Sequence, residues 1–230
     1  MNVKLSRQSR LEGMYPNESM WTRRRVRDLR LVLLAFLAAV TASTQASTSG
    51  EDGFVSLFSE GAFTKWRQSG PGHFEVTNGV ATGVGGMGLW WYAGRQYTNF
   101  VLRGEFVQEQ PIADSGVFLR FPDPGNDPWK AVHQGHEMEI GDPEPKDPTW
   151  RTGSIYPFQA STRANTKPLG QWNEYEIICQ GQTYTVRMNG EQIMTWTDPK
   201  QRARSGYIGL QNYNDGKTVR HRNVRIKDLP

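Results

Sequence analysis

Cysteine and long apolar runs are both scarce in this chain of 230 residues. The single cysteine, Cys179, excludes an intramolecular disulfide. It lies in the alternating segment EYEIICQ with no neighbouring histidine or other base, which predicts a small buried apolar side chain and argues against a nucleophile. The apolar run Leu31–Val40 has ten residues, whereas a transmembrane helix needs roughly 20. This run is therefore too short to span a bilayer.

A strong charge of one sign is absent from most of the chain. The formal net charge is +4, but the first 46 residues hold eight Lys or Arg against three acids. The remaining residues hold 19 basic against 20 acidic side chains. Proteins that bind nucleic acid carry a basic surface on the folded domain. The charge distribution therefore argues against a nucleic-acid partner.

The basic N-terminal region has the three parts of an export signal. Arg23–Arg30 is basic, Leu31–Val40 is apolar, and the small residues that follow predict cleavage after Ala42 or Ala46. We therefore predict an export signal over residues 1–46 and a periplasmic or extracellular protein. A membrane is expected as a partner only if this signal is retained.

Three regions follow from this organisation. The export signal covers residues 1–46, with Met20 as an alternative start because it gives a shorter, more ordinary basic region. Small and polar residues predict a flexible linker over residues 47–53. The remaining residues, 54–230, form one predicted domain, because they contain no second linker and no repeat.

This domain has the pattern of an all-β protein. About a dozen short segments alternate apolar and polar residues between Gly, Pro, Asn and Asp. Two Asn-Gly pairs, Asn78-Gly79 and Asn189-Gly190, each separate two such segments and predict tight β-hairpins. No long helical period interrupts the pattern. The sequence therefore predicts an antiparallel two-sheet sandwich without helices between the strands.

The segment HEMEIGD, residues 136–142, is the most distinctive of these strands. Side chains alternate between the two faces of a strand. Met138 and Ile140 are therefore expected to face the core, and Glu137 and Glu139 the open face of the sheet. Two carboxylates on one face are candidates for catalytic acids or bases.

Asp142 extends this acidic group if the strand is irregular. In a regular strand it would face the core, but a bulge at Gly141 would return it to the face of Glu137 and Glu139. Repulsion among three carboxylates should then raise the pKa of at least one of them. The alternative is an edge strand whose charged face is simply solvated.

The neighbouring segment SGVFLRF predicts a cation beside the acids. Alternation places Val117, Leu119 and Phe121 on one face, and Phe118 and Arg120 on the other. Arg120 is then either an ion-pair partner of the carboxylates or a ligand for a substrate oxygen.

Two long connections flank the acidic strand. Residues 121–135 and 142–153 are rich in Pro, Gly and Asp, and loops of this length in a compact domain are often functional. They predict the walls of a pocket above the strand. Trp129 and Trp150 lie in these loops and are candidates for stacking on a sugar.

Two histidines near the acids leave a metal site open. His133 and His136 lie close in sequence to the carboxylates, which permits a divalent metal, although single histidines are more often structural. The sequence therefore indicates no certain cofactor.

Several segments in order resemble one known family, the 3-keto-disaccharide hydrolases. The resemblance runs from about Phe54 to Leu229. The matching segments are SLFSEGAFTKW, TNFVLRGEF, SGVFLR, GHEMEIGD, TGSIYPF, KPLGQWNEYEI, GYIGLQNY and RHRNVRIKDL. The family is related in fold to the concanavalin A-like lectins and glucanases. The resemblance therefore implies an all-β jelly-roll sandwich.

The resemblance also implies a reaction and a set of residues. Members act on 3-keto sugars or glycosides: a base removes the C2 proton, the substituent leaves C1, and water adds to the resulting glycal. By position, the resemblance supports Glu137, Asp142 and Arg120 as site residues, with Tyr156 and Gln211 lining the site.

The chain departs from the family's pattern in three places. Asp114-Ser115 stands where the family has Asn-Ser, Glu139 stands where it frequently has Gln, and Asn212-Tyr213 stands where it has Asp-His. Of these, Glu139 is expected to change the charge of the site, and no role of the missing His is carried over to Tyr213.

The resulting hypothesis assigns a role to each group. Glu137 is the base, Asp142 or Glu139 moves the proton to the leaving oxygen, and Arg120 or a metal stabilises the enolate. One alternative is an ordinary retaining glucanase of the same fold, which would use the same acids on unoxidised glucans. The other is a non-catalytic carbohydrate-binding module, whose sugar binding would survive loss of the carboxylates.

Overall fold

The computed structural model describes residues 53–213 and 216–230. The predicted export signal therefore lies outside the described residues. No helix within the described part of the chain is long and apolar enough to cross a membrane.

The described residues form fourteen strands and three short helical segments. The strands are β1 (Val55–Ser56), β2 (Trp66–Ser69), β3 (His73–Thr77), β4 (Val80–Val84), β5 (Met87–Tyr97), β6 (Phe100–Gln108), β7 (Ser115–Phe121), β8 (His136–Ile140), β9 (Ile155–Tyr156), β10 (Asn173–Gln180), β11 (Thr183–Met188), β12 (Glu191–Thr197), β13 (Gly206–Tyr213) and β14 (Val219–Asp228). The helical segments are α1 (Glu60–Phe63), α2 (Trp129–Gln134) and a single 3₁₀ turn (Pro148–Trp150). The expectation of no helices between strands was therefore wrong in detail.

The strands form two antiparallel sheets. One has eight strands in the order β12-β11-β10-β6-β14-β4-β3, with β1 also paired to β14. The other has six strands in the order β2-β5-β13-β7-β8-β9. The predicted all-β, antiparallel two-sheet sandwich of the jelly-roll, lectin-like type is confirmed.

Both predicted Asn-Gly hairpins are present. Asn78 and Gly79 join β3 to β4 with φ angles of 51° and 75°, and Asn189 and Gly190 join β11 to β12 with 51° and 83°. Positive φ at both central residues is the type I′ geometry, whose twist matches that of the flanking strands.

The core lies between the sheets and excludes water from their inner faces. Leu102, Phe106, Met138 and Ile177 are fully buried in it. Cys179 is also buried there, as predicted, and burial raises the pKa of its thiol to about 12. The thiol is therefore neutral and inert at physiological pH.

A bulge in β7 reverses the predicted alternation at its end. Tyr207 on β13 pairs with Phe121 and Ile208 pairs with Leu119, so Arg120 between them has no opposite residue. Arg120 has a positive φ of 55°. One extra residue shifts the side-chain phase. Arg120 consequently turns into the interior, while Phe121 joins Phe118 on the outer face.

Helix α2 covers part of that outer face. Ala131 of α2 packs in one apolar cluster with Leu89, Trp91, Phe118 and Phe121 of the six-stranded sheet. The helix follows Pro128 and ends before Gly135. It leaves the adjoining part of the sheet, around β8 and β13, uncovered and open to a cavity.

Candidate active site

A cavity of about 530 Å³ lies on the outer face of the six-stranded sheet. Its floor comes from β8, β9 and β13, and its walls come from α2 and the loops beside β7, β8 and β13. It is lined by Ile112, Asp114, Trp129, Val132, Glu137, Glu139, Gly141, Asp142, Pro145, Lys146, Trp150, Tyr156, Gln211, Tyr213 and Lys217.

Strand β8 places two carboxylates on the cavity floor. Met138 and Ile140 point into the core, and Glu137 and Glu139 point into the cavity, as the alternation predicted. Their exposed fractions are only 3% and 8%. They are therefore not the solvated edge-strand acids of the alternative interpretation.

Glu137 is buried with an unsatisfied oxygen. Its Oε1 has no hydrogen-bond partner among the described residues. Burial, and to a lesser extent the charge of Asp114, raises the pKa of the Glu137 carboxyl well above its ordinary value. Leaving a buried acceptor unpaired is costly, which points to a ligand group as its partner.

Glu139 shares this environment. Burial is the largest cause that raises the pKa of its carboxyl, followed by the charges of Glu137 and Asp114. The sequence predicted repulsion between the carboxylates as the cause of such a shift. The structure adds that removal from water contributes more than repulsion does.

Asp142 reaches the cavity by a route different from the predicted one. Strand β8 ends at Ile140, so no bulge at Gly141 is needed, and Asp142 lines the cavity from the following loop. Its backbone forms a bridge with that of Arg151, and its Oδ1 accepts a hydrogen bond of 2.8 Å from the Glu144 amide. The loop thus orients this carboxylate independently of the strand.

Arg120 does not lie beside the carboxylates, contrary to the prediction. Its guanidinium is fully buried between the sheets, where it donates to the carbonyls of Thr98 and Gly181 and to the hydroxyl of Tyr184. It also lies over the rings of Phe100 and Tyr184, at 5.7 and 5.3 Å. The β7 bulge is the reason, and it makes Arg120 a residue of the core.

The two histidines are also separated from the predicted site. His136 lies on the core side of β8, where Nε2 is 3.2 Å from Asp198 Oδ2 and Nδ1 is 2.9 Å from the Tyr184 hydroxyl. Burial lowers the pKa of His136 to about 4, so it is neutral at physiological pH. Alternation along β8 contained this information, because His136 shares the phase of Met138.

His133 is exposed on α2 and stacks on Trp129 with ring centroids 6.2 Å apart. The two histidines therefore do not converge on the carboxylates. Within residues 53–213 and 216–230, no group of three or more His, Cys, Asp or Glu is arranged to hold a metal ion. The structure thus does not bring the two candidate ligands, His133 and His136, together with the carboxylates.

Gln211 and Tyr156 line the floor beside the acids. Tyr156 on β9 is directly opposite Glu137 on β8. Gln211 on β13 is 8% exposed, and its Oε1 has no hydrogen-bond partner within the described residues. Two buried polar groups thus lack a protein partner at one cavity, and sugar hydroxyls are suitable partners for both.

Aromatic side chains form the rim. Trp129 and Trp150 are 42% and 55% exposed and both line the cavity, as predicted for stacking residues. Tyr213 packs against Trp129 at 6.3 Å with nearly perpendicular rings. Tyr213 occupies the position at which the resembling family has His, so a phenol stands there at the cavity wall.

Sequence reasoning missed three charged lining residues. Asp114 precedes β7, and its departure from the family's Asn was a usable signal, since its charge acts on both glutamates. Lys146 and Lys217 lie in loops, where no periodic pattern shows which way a side chain points. They bring positive charge to the cavity from which Arg120 is absent.

A lectin-like sandwich with buried acids and exposed tryptophans at one cavity is the arrangement of a carbohydrate-active protein. Its sequence profile narrows this class. The chain belongs to the 3-keto-alpha-glucoside-1,2-lyase-like domain family, whose profile matches residues 53–227.

Solved structures agree in fold. A proposed glycosyl hydrolase from Parabacteroides distasonis is 22% identical with a TM-score of 0.64, covering 76% of this chain and 99% of its own. The carbohydrate-binding module CBM66 from Bacillus subtilis is 11% identical with a TM-score of 0.53, covering 71% and 96%. A galectin-like protein from Bacillus subtilis is 13% identical with a TM-score of 0.57, covering 76% and 94%. No curated protein sequence is similar enough to count as a relative.

Proposed function

We propose that this protein is an exported enzyme that cleaves 3-keto-glycosides by abstraction of the C2 proton, elimination and hydration. The observation that carries the proposal is the buried, unpartnered carboxyl oxygen of Glu137 on the cavity floor. Membership of the 3-keto-alpha-glucoside-1,2-lyase-like family supports the substrate class.

Glu137 acts as the base in this proposal. A carboxylate that is removed from water and has no donor at Oε1 is a stronger base than one in solution, because burial and the nearby charge of Asp114 disfavour its charged form. The C3 ketone of the substrate acidifies the hydrogen on C2, which brings that proton within reach of such a base.

The electron flow balances without an external oxidant or reductant. Glu137 takes the C2 proton, the electrons pass into the C3 carbonyl as an enolate, and the enolate then expels the C1 substituent. That leaving oxygen takes a proton from Glu139 or Asp142. Water adds its hydroxyl to C1 and a proton returns to C2, which completes a net hydrolysis.

The enolate oxygen needs a positive charge or a hydrogen-bond donor. Arg120 is in the core and does not serve this purpose. Lys146 and Lys217 are the cationic side chains among the described lining residues, and we assign the stabilising charge to them.

The rest of the cavity suits a sugar ring. The exposed faces of Trp129 and Trp150 offer stacking surfaces for its C–H groups. Gln211 and Tyr156 on the floor offer polar groups for its hydroxyls.

The test compares an oxidised with an unoxidised substrate. The protein from Ser47 onward is incubated in deuterium oxide with a 3-keto-glucoside and, separately, with the parent glucoside. We expect cleavage of the 3-keto-glucoside alone, and deuterium at C2 of the product above the exchange in a protein-free sample. Cleavage of the parent glucoside without deuterium would instead indicate an ordinary glucanase.

Binding without cleavage of either substrate would indicate a carbohydrate-binding module and contradict the proposal. A parallel incubation with a chelator tests for a metal requirement, since loss of turnover that added metal restores would assign the enolate charge to an ion.

The export part of the proposal rests on the N-terminal sequence pattern. Its test is expression of the full chain followed by N-terminal sequencing of the protein found outside the cytoplasm. We expect a mature chain that begins at Ser43 or Ser47. An uncleaved chain that stays in the cytoplasm would contradict export.

A further inference from the structure

The carboxyl group of Glu137 occupies space that a side chain on the neighbouring strand would fill. Gly116 on β7 is directly opposite Glu139 on β8, so its α-carbon lies on the cavity side of the sheet beside both acids. A Cβ atom at Gly116 would meet Oε1 of Glu137 first and would lie 2.7 Å from its Cδ and 2.8 Å from its Cγ. Cβ atoms essentially never approach other atoms this closely.

We infer that Gly116 is a positioning residue: its missing side chain forms a slot in β7 that holds the Glu137 carboxyl group flat against the cavity floor. The slot explains how a glutamate can be 97% buried at the edge of an open cavity while Oε1 has no hydrogen bond to hold it. Steric confinement replaces hydrogen bonding as the means of orientation. The catalytic consequence rests on the proposed role of Glu137, whereas the slot itself does not.

The slot also keeps Glu137 in contact with its electrostatic neighbours. In this position the carboxyl experiences both burial and the charge of Asp114. If a methyl group fills the slot, the carboxyl has to rotate toward the cavity and into water. Its pKa should then fall toward the ordinary value, because the cost of burying the charge is relieved.

Gly104 offers a matched control on the other sheet. It lies on β6 directly opposite Tyr175 on β10, and a Cβ atom there would meet the Tyr175 hydroxyl and lie 2.5 Å from its Cζ. The clash is therefore of the same kind, with the end of a side chain from the adjacent strand. Tyr175 is in the inter-sheet core, away from the cavity.

The first experiment measures melting temperatures in a double-mutant cycle of Gly116→Ala and Glu137→Ala. We expect Gly116→Ala to lower the melting temperature in the wild type and to change it much less when Glu137 is already Ala, because the slot is then empty. Gly104→Ala should lower it equally in both backgrounds. Additive effects of Gly116→Ala would overturn the slot.

The cycle remains informative if Gly116→Ala does not fold. The slot predicts that the double variant of Gly116→Ala and Glu137→Ala folds, because the Glu137 side chain that the new methyl group would meet is gone. A double variant that also fails to fold would mean that the alanine meets the sheet itself, which overturns the inference.

The second experiment measures kinetics on a 3-keto-glucoside. We expect Gly116→Ala to lower kcat by about 100-fold with KM little changed, since a displaced base loses reactivity while the sugar-binding groups remain. The acidic limb of the kcat profile should move to lower pH, and Gly104→Ala should change neither. A raised KM with an unshifted pH profile would make Gly116 merely structural.

The two experiments separate the slot from the proposed function. An effect of Gly116→Ala on the melting temperature that depends on Glu137, in a protein that does not turn over the 3-keto substrate, would retain the slot and reject the reaction. Turnover of the substrate without that dependence would retain the reaction and reject the slot.

Discussion

The two faces of strand β8 each carry buried polar side chains, but these differ in whether the protein supplies hydrogen-bond partners for them. Toward the eight-stranded sheet, both ring nitrogens of His136 are within hydrogen-bond distance of Asp198 and Tyr184. Toward the cavity, Glu137 is equally buried but has an oxygen without a partner. Burial alone therefore does not distinguish a structural polar group from a functional one. A missing protein partner together with a position on the cavity does, because other unpartnered buried atoms, such as the Tyr175 hydroxyl and His221 Nδ1, do not line the cavity.

The difference extends to the neighbouring polar groups. The Tyr184 hydroxyl on the core side also accepts a hydrogen bond from Arg120, so the interior network links strands of both sheets. On the cavity side, Gln211 also has an unpartnered buried oxygen. The hydrogen-bonded interior network stabilises the sandwich, whereas the unpartnered oxygens at the cavity retain their capacity to bind a ligand.

The largest expected effect comes from Glu137→Gln. Turnover of a 3-keto-glucoside should fall by about 10²–10⁴-fold, the usual contribution of a general base. The free energy of unfolding, by contrast, should increase. Because the pKa of Glu137 is raised on folding, the native state loses stability as pH rises from about 4.5 toward that raised pKa, and glutamine removes this loss.

Chemical denaturation at pH 4 and pH 8 measures the stability change, and steady-state kinetics measures turnover. Glu60→Gln, at an exposed glutamate of α1, is the control. Near wild-type turnover by a folded Glu137→Gln protein would remove Glu137 from the mechanism.

Arg120→Met tests the structural side of the comparison. It removes the charged donor of the hydrogen bonds to the carbonyls of Thr98 and Gly181, and hydrogen bonds to a charged group contribute about 1.5–3 kcal/mol each. We expect a loss of about 3 kcal/mol in the free energy of unfolding, with turnover per folded molecule retained.

Denaturant titration measures the free energy of unfolding, and kinetics normalised to the concentration of folded protein measure turnover. Arg204→Met, at an exposed arginine, is the matched control and should be nearly neutral. Loss of turnover at unchanged stability would return Arg120 to the site and contradict its placement in the core.

The buried histidines predict a smaller, acid-dependent effect. Burial lowers the pKa of His221 to about 3 and that of His136 to about 4. Between pH 6.5 and these values the unfolded chain binds protons that the native state does not, so each histidine lowers stability as pH falls, by at most about 1.4 kcal/mol per pH unit.

His221→Gln should remove one of these contributions. The stability difference between wild type and variant should therefore change between pH 6.5 and pH 4 and stay constant from pH 7 to pH 8. The carboxyls of Glu137 and Glu139 act in the opposite direction but cancel in this difference. An unchanged difference across the acidic range would show that His221 titrates normally.

The smallest effect is expected at the rim. Trp150→Ala should raise KM for a 3-keto-glucoside by roughly 2–10-fold, the worth of one aromatic contact, without changing the melting temperature, because the side chain is 55% exposed. Leu169→Ala, at an exposed apolar residue outside the cavity, is the control. An unchanged KM would remove Trp150 from sugar binding.

Local pattern was sufficient for the strands and for half of the site. Alternation along HEMEI placed Met138 in the core and Glu137 and Glu139 on one open face, and the two Asn-Gly pairs located their hairpins. These features depend on neighbouring residues alone, since the side-chain period of a strand and the φ angles of a turn are local properties.

The tertiary structure decided the charges around those acids. Arg120 lies outside the site because β13 pairs with the residues on either side of it, which leaves a bulge at Arg120. Such a bulge depends on two strands together. Lys146, Lys217 and Asp142 entered it through loops, whose directions depend on what they pack against. The sequence alone determined the sandwich and the face on which Glu137 and Glu139 lie. Strand pairing and loop packing determined their burial and which other groups face them.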